Sequence, residues 1–250
     1  MTTFAKESDL CQAFIAALPA NWTAYPETGG FDILLSRADG FQIGVEAKLK
    51  LNAKVILQAA EDCRRSYVAM PGPDCRAVLV PEAHNRELAE LCRLLCVTVV
   101  VHRPREPGVV RSPIWPDLPT ATDQYWNEVW HELAPARRLD LPEWVPDVAA
   151  GASAPIALTD WKIRAIKIVV TLEKRGFVTR QDFSHFKISM SRWTQGRWLV
   201  QDGRGGWVAG QYLPDFRAQH PVNFPQIEAD YDKWRNPAEP VRAPKQEALL

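Results

Sequence analysis

The chain has 250 residues, of which 46% are hydrophobic and 24% charged, a composition typical of globular proteins. Thirty Lys and Arg residues balance thirty Asp and Glu residues, which argues against a uniformly basic nucleic-acid-binding protein. No apolar run approaches the roughly 18 residues that a membrane-spanning helix needs, so we expect no membrane association. The five cysteines form no CxxC pair, which indicates reduced thiols in a cytoplasmic protein.

The charges are unevenly distributed along the chain. Residues 160–210 contain ten Lys and Arg but four Asp and Glu, whereas residues 1–159 contain fifteen and twenty. A separate basic segment of this kind is the electrostatic signature of a surface that binds a polyanion. The last third of the chain is therefore where we expect nucleic-acid binding.

The N-terminal residues predict a helix, a strand and a turn. Residues 6–18 have amphipathic spacing, and Glu7 opens the predicted helix. Residues 22–25 predict a short strand, and residues 26–30 predict a turn that places Glu27 in a loop. A loop carboxylate is held less firmly than one in a helix, so Glu7 is the stronger candidate for a functional site.

Residues 31–48 predict a β-hairpin. The intervening Ala38-Asp39-Gly40 is typical of a three-residue loop closed by a glycine in the left-handed conformation. Apolar side chains alternate on both arms of the hairpin, at Phe31, Ile33, Leu35, Phe41, Ile43, Val45 and Ala47.

The register of this hairpin determines which side chains meet. A turn centred on Asp39 places Asp32 opposite Glu46, with the apolar alternates on one side of the sheet and Asp32, Glu46 and Lys48 on the other. Directly opposed like charges are unfavourable, so a divalent cation with oxygen ligands is the expected partner. The alternative is a surface hairpin in which Glu46 and Lys48 form an exposed pair. The apolar residues around them favour the cation site.

Asp32 followed by Glu46-Ala47-Lys48 resembles the D…(D/E)-x-K active site of the PD-(D/E)xK nuclease superfamily, which has a restriction-endonuclease-like fold. The resemblance covers roughly residues 5–102. It implies that Asp32, Glu46 and the backbone carbonyl of Ala47 hold Mg²⁺ or Mn²⁺. It also implies that Lys48 orients the attacking water and stabilises charge on the phosphate.

Two further residues match the superfamily outside this motif. Glu7 opens the first helix, as in archaeal-type Holliday junction resolvases, in which a first-helix Glu joins the metal site. Gln58 lies in the helix predicted for residues 52–65, where several branches of the superfamily carry an active-site Gln. The resemblance therefore implies that Glu7 is a metal ligand and that Gln58 assists in the same site.

The remaining pattern to residue 103 completes an αβββαβ core. Strands are predicted at residues 66–70, 76–80 and 97–101, and a helix at residues 84–96. The fold class is thus α/β, a mixed sheet with flanking helices, and it agrees with the restriction-endonuclease-like core that the resemblance implies. Residues 1–103 are the predicted nuclease-like domain.

Residues 104–155 predict a connector. This segment is rich in proline and contains four tryptophans. Within it, only residues 121–133 have a helical pattern. Proline breaks regular structure, while four tryptophans are too many for free disorder. We therefore expect the connector to pack on one or both domains.

Residues 156–213 predict three helices and a hairpin. The first helix is capped by Thr159 or Asp160 and ends at Gly176, the second begins at Thr179, and the third spans about residues 190–195. Gly-rich residues 201–205 then join two short apolar strands. This order resembles a winged helix-turn-helix domain.

In a winged helix-turn-helix domain the third helix reads the major groove of DNA. The resemblance implies DNA-binding roles for Ser191, Arg192 and Gln195 on that helix, for Arg197 beside it and for Arg204 at the tip of the wing. A winged helix that docks on a protein is the alternative. The basic charge of residues 160–210 favours DNA.

Residues 214–250 predict a C-terminal extension that is partly disordered. The whole pattern predicts a metal-dependent DNA endonuclease, with Mg²⁺ or Mn²⁺ as cofactor, that a winged-helix domain targets to DNA. The alternative is a non-catalytic DNA-binding or assembly protein that uses the nuclease-like domain as a scaffold. RNA as the substrate, and a homodimer or a partner protein, are left open by the sequence.

Overall fold

A computed structural model of the protein describes residues 4–61, 71–82, 85–103, 112–122, 128–152 and 156–238. The chain divides into two compact units, unit 1 (Met1–Ala157) and unit 2 (Leu158–Leu250). Within the described ranges, no helix is both long and apolar enough to cross a membrane.

Unit 1 is built from a six-stranded sheet and helices. Its elements are α1 (Glu7–Ala16), β1 (Trp22–Thr28), β2 (Phe31–Arg37), β3 (Gln42–Ala47), α2 (Ala53–Ala60), β4 (Cys75–Val80), α3 (Arg86–Leu94), β5 (Val97–His102) and β6 (Ile114–Trp115). The fold is therefore α/β, and its first elements follow the predicted order αβββαβ. The strand predicted at residues 66–70 lies outside the described residues, as do residues 123–127 of the helix predicted at residues 121–133.

The six strands lie across the sheet in sequence order, β1-β2-β3-β4-β5-β6. The β1–β2, β2–β3 and β5–β6 pairs are antiparallel, whereas β3–β4 and β4–β5 are parallel. Helices α2 and α3 lie in the two connections between parallel strands, as a crossover requires. The sheet is thus mixed, as predicted.

The register of the β2–β3 hairpin is the one predicted from a turn centred on Asp39. Ile33 pairs with Val45. At the turn, the Arg37 guanidinium donates to both Asp39 carboxylate oxygens, at 2.9 and 2.8 Å, and Gly40 has a φ of 86°, where a side chain would be strained. The turn residues therefore determine which side chains of the two strands meet.

Each face of the sheet buries its own apolar core. Leu10 and Phe14 of α1 pack on the face that carries Ile33 and Val45. Residues of α2 and α3 cover the other face, which includes Val78. Coverage of both faces explains why the central strands read as nearly continuous apolar runs.

Phe31 is an exception to the predicted alternation of side chains. Its ring lies beside Gly44, where an added Cβ atom would come within 2.5 Å of the ring, and 5.5 Å from the Arg76 guanidinium carbon. Gly44 pairs with Arg76, which donates to the carbonyl of Ala59 in α2. The ring therefore lies on the α2 side of the sheet, whereas the prediction placed it with Ile33 on the α1 side. The missing side chain at Gly44 makes room for it.

The proline-rich segment packs against the sheet of unit 1. Arg138 binds the buried Asp74 carboxylate at 2.8 Å, and the side chain of Gln42 makes two hydrogen bonds to the backbone of the segment. Trp130 is 1% exposed, and its indole N–H donates to a backbone carbonyl at 2.9 Å. The segment therefore belongs to unit 1, and the predicted domain boundary at residue 103 lies inside that unit.

Unit 2 begins with three helices and a two-stranded antiparallel sheet. Its elements are α4 (Asp160–Arg175), α5 (Arg180–His185), α6 (Ser191–Gln195), β7 (Leu199–Gln201), β8 (Trp207–Ala209), α7 (Phe216–Gln219), α8 (Asn223–Ala229) and α9 (Tyr231–Trp234). Thr159 caps α4 and Gly176 ends it, as predicted. The carboxylate of Asp202 accepts hydrogen bonds from the backbone of Arg204 and Gly206, which closes the turn between β7 and β8.

Residues 214–238 complete the core of unit 2. Phe216, Phe224 and Ile227 are 2%, 0% and 0% exposed, and the ring of Phe216 stacks on that of Trp193 in α6 at 6.2 Å. The unit therefore continues past residue 213, where the sequence placed the end of the second domain. Residues 239–250, in the predicted tail, lie outside the described residues.

Candidate active site and nucleic-acid interface

Asp32 and Glu46 lie just beyond the last residue pair of the β2–β3 ladder. One Asp32 oxygen accepts a hydrogen bond from the backbone N–H of Ala47 at 2.8 Å. Burial raises the pKa of Asp32, against the lowering effects of this hydrogen bond and of the Lys48 charge. The open end of the hairpin therefore holds a carboxylate that is fixed in position and poorly solvated.

Glu46 has a strongly raised pKa. It is 8% exposed, and within the described residues its carboxylate has no hydrogen-bond or ion-pair partner. Burial, and next the charge of Asp32, raise its pKa from 4.5 to about 7, although Lys48 lowers it. A cation bound beside the two acids would favour the ionised form of both.

The raised pKa of Glu46 predicts that unit 1 loses stability as the pH rises. The folded state holds the Glu46 proton more tightly than the unfolded state, whose pKa is near 4.5. The free energy of unfolding therefore falls as the pH rises from about 4.5 to about 7. We expect Glu46→Gln to match the wild type near pH 4 and to exceed its free energy of unfolding by about 3 kcal/mol above about pH 7. Urea unfolding of both full-length chains across this pH range measures the difference.

The matched control for this experiment is Glu87→Gln, which removes the same charge from an exposed position on α3. It should show no trend of this size. A carbon-13 titration of the Glu46 carboxyl group gives the pKa directly. A constant stability difference between Glu46→Gln and the wild type across the pH range would contradict the buried, charge-coupled environment described for Glu46.

Lys48 is held by the carboxylate that opens α1. Its Nζ donates to Glu7 Oε2 at 2.6 Å, in an ion pair of two half-buried side chains. Burial disfavours the charged form of Lys48, but the hydrogen bond and charge of Glu7, followed by the charges of Asp32 and Glu46, raise its pKa. Lys48 therefore keeps its proton at neutral pH. Glu7 reaches the site through Lys48, and its predicted role as a metal ligand stays a prediction.

Glu27 is a third carboxylate at this site. Strand β1 continues to Thr28, so Glu27 lies in a strand rather than in the predicted loop, across the β1–β2 ladder from Asp32. Its Oε1 accepts the backbone N–H of Gly151 at 2.9 Å. Burial raises its pKa, the Gly151 hydrogen bond lowers it, and the Asp32 charge raises it further. Pro26 indicated a strand end, but β1 is an edge strand, where proline is tolerated.

Gln58 lies apart from the acidic side chains and Lys48, whereas Cys11 lies near the acids. Gln58 is exposed on α2, and in the described part of the chain no hydrogen bond joins its side chain to the acids or to Lys48. The structure therefore does not bring Gln58 into contact with them. Cys11 is fully buried, and burial, followed by the charges of three carboxylates, raises its pKa to about 12. Its thiol is neutral at physiological pH and is not a nucleophile.

The carboxylate oxygens of Asp32 and Glu46 are donors of the type that a hard divalent cation prefers. Asp32 has one oxygen that the Ala47 N–H does not use, and oxygen donors of this type are those that Mg²⁺ prefers. Among the residues that the structure describes, no group of three or more His, Cys, Asp and Glu side chains could hold a metal ion. A cation at this site would therefore depend on Asp32, Glu46 and the Ala47 carbonyl, because Glu7 is engaged with Lys48.

Helix α6 places the predicted DNA-reading residues on two sides. Thr194 and Arg197 line a groove between α5, α6 and the β7–β8 hairpin. Arg192 and Gln195 line a second surface, on the other side of α6, and Ser191 borders both. The predicted set therefore does not form one continuous face.

Arg192 is engaged within the protein. Its guanidinium carbon lies 5.2 Å from the centre of the Trp161 ring and 5.3 Å from that of Trp198. Trp161 belongs to α4 and Trp198 follows α6, so these cation–π contacts tie the third helix to the first. Arg204 is half-buried in the turn between β7 and β8, where its N–H donates to Asp202 at 2.7 Å.

The fold and the site together define a mixed α/β protein with a mostly half-buried group of carboxylates and a lysine in unit 1 and a basic, mainly helical unit 2. No family model, curated protein or solved structure matches this chain. The assignment of a function therefore depends on the geometry and chemistry of the two sites.

Proposed function

We propose that the protein is a metal-dependent DNA endonuclease that hydrolyses phosphodiester bonds in unit 1 and binds DNA through a winged-helix domain in unit 2. The proposal includes a PD-(D/E)xK-type site on a restriction-endonuclease-like core, with Mg²⁺ or Mn²⁺ as the cofactor. It is carried by the position of Asp32 and Glu46 just beyond the last residue pair of the β2–β3 ladder, next to Lys48. The charges of Asp32 and Lys48 both act on Glu46, and both carboxylates act on Lys48.

Two neighbouring carboxylates and a lysine are groups that suit metal-dependent hydrolysis of a phosphodiester. A divalent cation held by Asp32, Glu46 and the Ala47 carbonyl would polarise the scissile phosphate and lower the pKa of a bound water. Lys48 keeps its proton, so its ammonium group can donate hydrogen bonds to the attacking water and to the phosphate oxygens, on which negative charge builds. The ion pair with Glu7 holds this ammonium group in place.

The charge of unit 2 supports DNA binding. Residues 158–238 contain thirteen Lys and Arg and eight Asp and Glu, whereas residues 1–157 contain fifteen and twenty. Phosphates attract the net positive unit and repel the net negative one, and neutralised phosphates supply most non-specific affinity for DNA. The proposal therefore assigns substrate affinity to unit 2 and hydrolysis to unit 1.

A non-catalytic DNA-binding or assembly protein is the second candidate. It is favoured by the ion pair of Lys48 with Glu7, and by the lack, among the described residues, of a metal-binding group with three ligating side chains. In a scaffold, Lys48 alone would offset the charge of the surrounding carboxylates. Metal binding separates the candidates, because only the enzyme needs the cation.

Metal-dependent cleavage tests the proposal. We expect supercoiled DNA to be nicked or linearised with Mg²⁺ or Mn²⁺, and EDTA to abolish the reaction. Parallel reactions with linear, branched and single-stranded DNA, and with RNA, identify the substrate. Calorimetry should show that the wild type binds Mn²⁺ and that Asp32→Asn does not. A chain that neither cleaves nor binds Mn²⁺ would be assigned as the scaffold.

A further inference from the structure

The cationic side chains of unit 2 differ in whether acidic side chains pair with them. Towards the C-terminal helices they are paired with acids, and Arg217 binds Glu173 at 2.8 Å and Glu228 at 3.2 Å. By contrast, no acidic side chain of the described residues forms an ion pair with Arg180 or Arg197, both of which are exposed. The surface near these two arginines therefore carries positive charge that acidic neighbours do not offset.

Arg180 and Arg197 line the same groove between α5, α6 and the β7–β8 hairpin. The groove has a volume of about 750 Å³, and buried Phe183 and Trp207 contribute apolar surface to it. The exposed neutral polar side chains of the groove are Ser191, Thr194 and Gln201. Two arginines with hydroxyl and amide groups between them match the chemistry of a sugar–phosphate backbone.

Arg197 has a backbone conformation that is unusual for arginine. Its φ is 53°, in the left-handed region, where a residue with a Cβ atom is strained and glycine is not. The preceding Gly196 has a φ of −75°, which any residue adopts. Position 197 therefore has an arginine where the backbone would suit glycine better, and the Arg197 side chain lines the groove.

Arg192 lies on the other side of α6, over the rings of Trp161 and Trp198. The pKa of Lys162 is lowered, mainly because Lys162 is partly buried and also because the positive charge of Arg192 is nearby. The contacts of Arg192 are thus made within unit 2, and they hold α6 against α4. Because Arg192 lies on the other side of α6, it is poorly placed to bind a phosphate in the groove. Arg180 also contacts a tryptophan ring, that of Trp207 at 5.9 Å, but its side chain lines the groove itself.

We propose that this groove binds the backbone of duplex DNA, with Arg180 and Arg197 in contact with phosphates and Arg192 outside the contact surface. The proposal rests on the proposed DNA-binding role of unit 2 and changes which side chains perform it. Arg180, which the sequence did not single out, takes the place of Arg192. Ser191, Thr194 and Gln201 are the neutral polar contacts.

Salt titration of DNA binding by the full-length chain tests this assignment. The chain is titrated with a fluorescent duplex in EDTA, so that cleavage does not interfere. We expect Arg180→Gln and Arg197→Gly each to lower the slope of log K against log salt concentration by about one, and the double variant to lower it by about two. Glycine at position 197 removes the charge and relieves the backbone, so the variant should stay folded.

Two control variants make the result specific. Lys233→Gln removes the same charge from a lysine that is paired with Asp230 and should leave the slope unchanged. Arg192→Gln should also leave the slope unchanged but lower the unfolding temperature, because Trp161 and Trp198 lose their shared cation.

The outcomes separate this inference from the proposed function. Unchanged slopes in Arg180→Gln and Arg197→Gly, or a loss of about one in Arg192→Gln, overturn the groove assignment while unit 2 keeps its DNA-binding role. If the wild type shows no salt-dependent binding, the groove and the DNA-binding role of unit 2 both fail. The metal-dependent cleavage assay then judges unit 1 separately.

Discussion

Replacing Asp32 with Asn or Lys48 with Met is expected to lower metal-dependent cleavage by roughly 100- to 1,000-fold, because groups that stabilise transition-state charge typically contribute this much each. The unfolding temperature of Asp32→Asn should stay the same or rise. Asn at position 32 can still accept the N–H of Ala47, and it removes a charge whose burial is unfavourable. Plasmid cleavage at saturating Mg²⁺ and thermal unfolding of the same preparations measure the two effects.

Two further variants define the limits of this prediction. Lys50→Met removes the same charge from an exposed residue two positions beyond Lys48 and should retain full activity. Glu7→Gln should lower cleavage less than Lys48→Met. It removes the ion pair that positions the Lys48 ammonium group but leaves the ammonium group itself in place. Full activity in Asp32→Asn would end the nuclease assignment. Unfolding of Asp32→Asn or Lys48→Met would show that these side chains are structural.

Ending the chain after Leu213 is expected to unfold unit 2. The truncation removes Phe216, Phe224 and Ile227, all nearly or fully buried. Burial of each such side chain contributes about 1.5–3 kcal/mol, so the loss is about 5–9 kcal/mol, comparable with the whole stability of a typical domain. Limited proteolysis and near-ultraviolet circular dichroism of the 1–213 chain, compared with a chain ending at Ala238, test this.

A substitution gives the same test without shortening the chain. Phe216→Ala removes the ring that stacks on Trp193 and should cost about 3–5 kcal/mol. Val222→Ala, at a 54% exposed residue beside α8, is the matched control and should have little effect. A stable, protease-resistant unit 2 in the 1–213 chain would show that the three short C-terminal helices are dispensable.

Local patterns in the sequence predict much of this molecule because they depend on neighbouring residues. The β2–β3 register follows from the three-residue turn at Asp39 and from the period of two in both arms. The start and end of α4 follow from Thr159 and Gly176 for the same reason. The same register predicts that Asp32 and Glu46 lie at neighbouring positions at the end of the two strands, but the side of the sheet that Phe31 occupies did not follow from it.

Features that depend on contacts between distant segments could not be predicted in this way. The pairing of Lys48 with Glu7 joins residues 41 positions apart, and the stacking of Arg192 on Trp161 requires α4 and α6 to be packed first. The extension of β1 to Glu27 depends on its position at the edge of the sheet, which no pattern within residues 22–28 reveals. In each case the packing of other elements decides the outcome.

Gly151 determines where this protein can be cut and rejoined. Its N–H holds Glu27, and its Cα lies so near Cys11 that an added Cβ atom would be 3.1 Å from the sulfur. The segment that contains Gly151 therefore packs against the candidate site and is not a free linker. Chimeras that fuse unit 1 to another domain should be joined after Ala157. A junction at residue 103, which the sequence suggests, would remove this segment together with its hydrogen bond to Glu27.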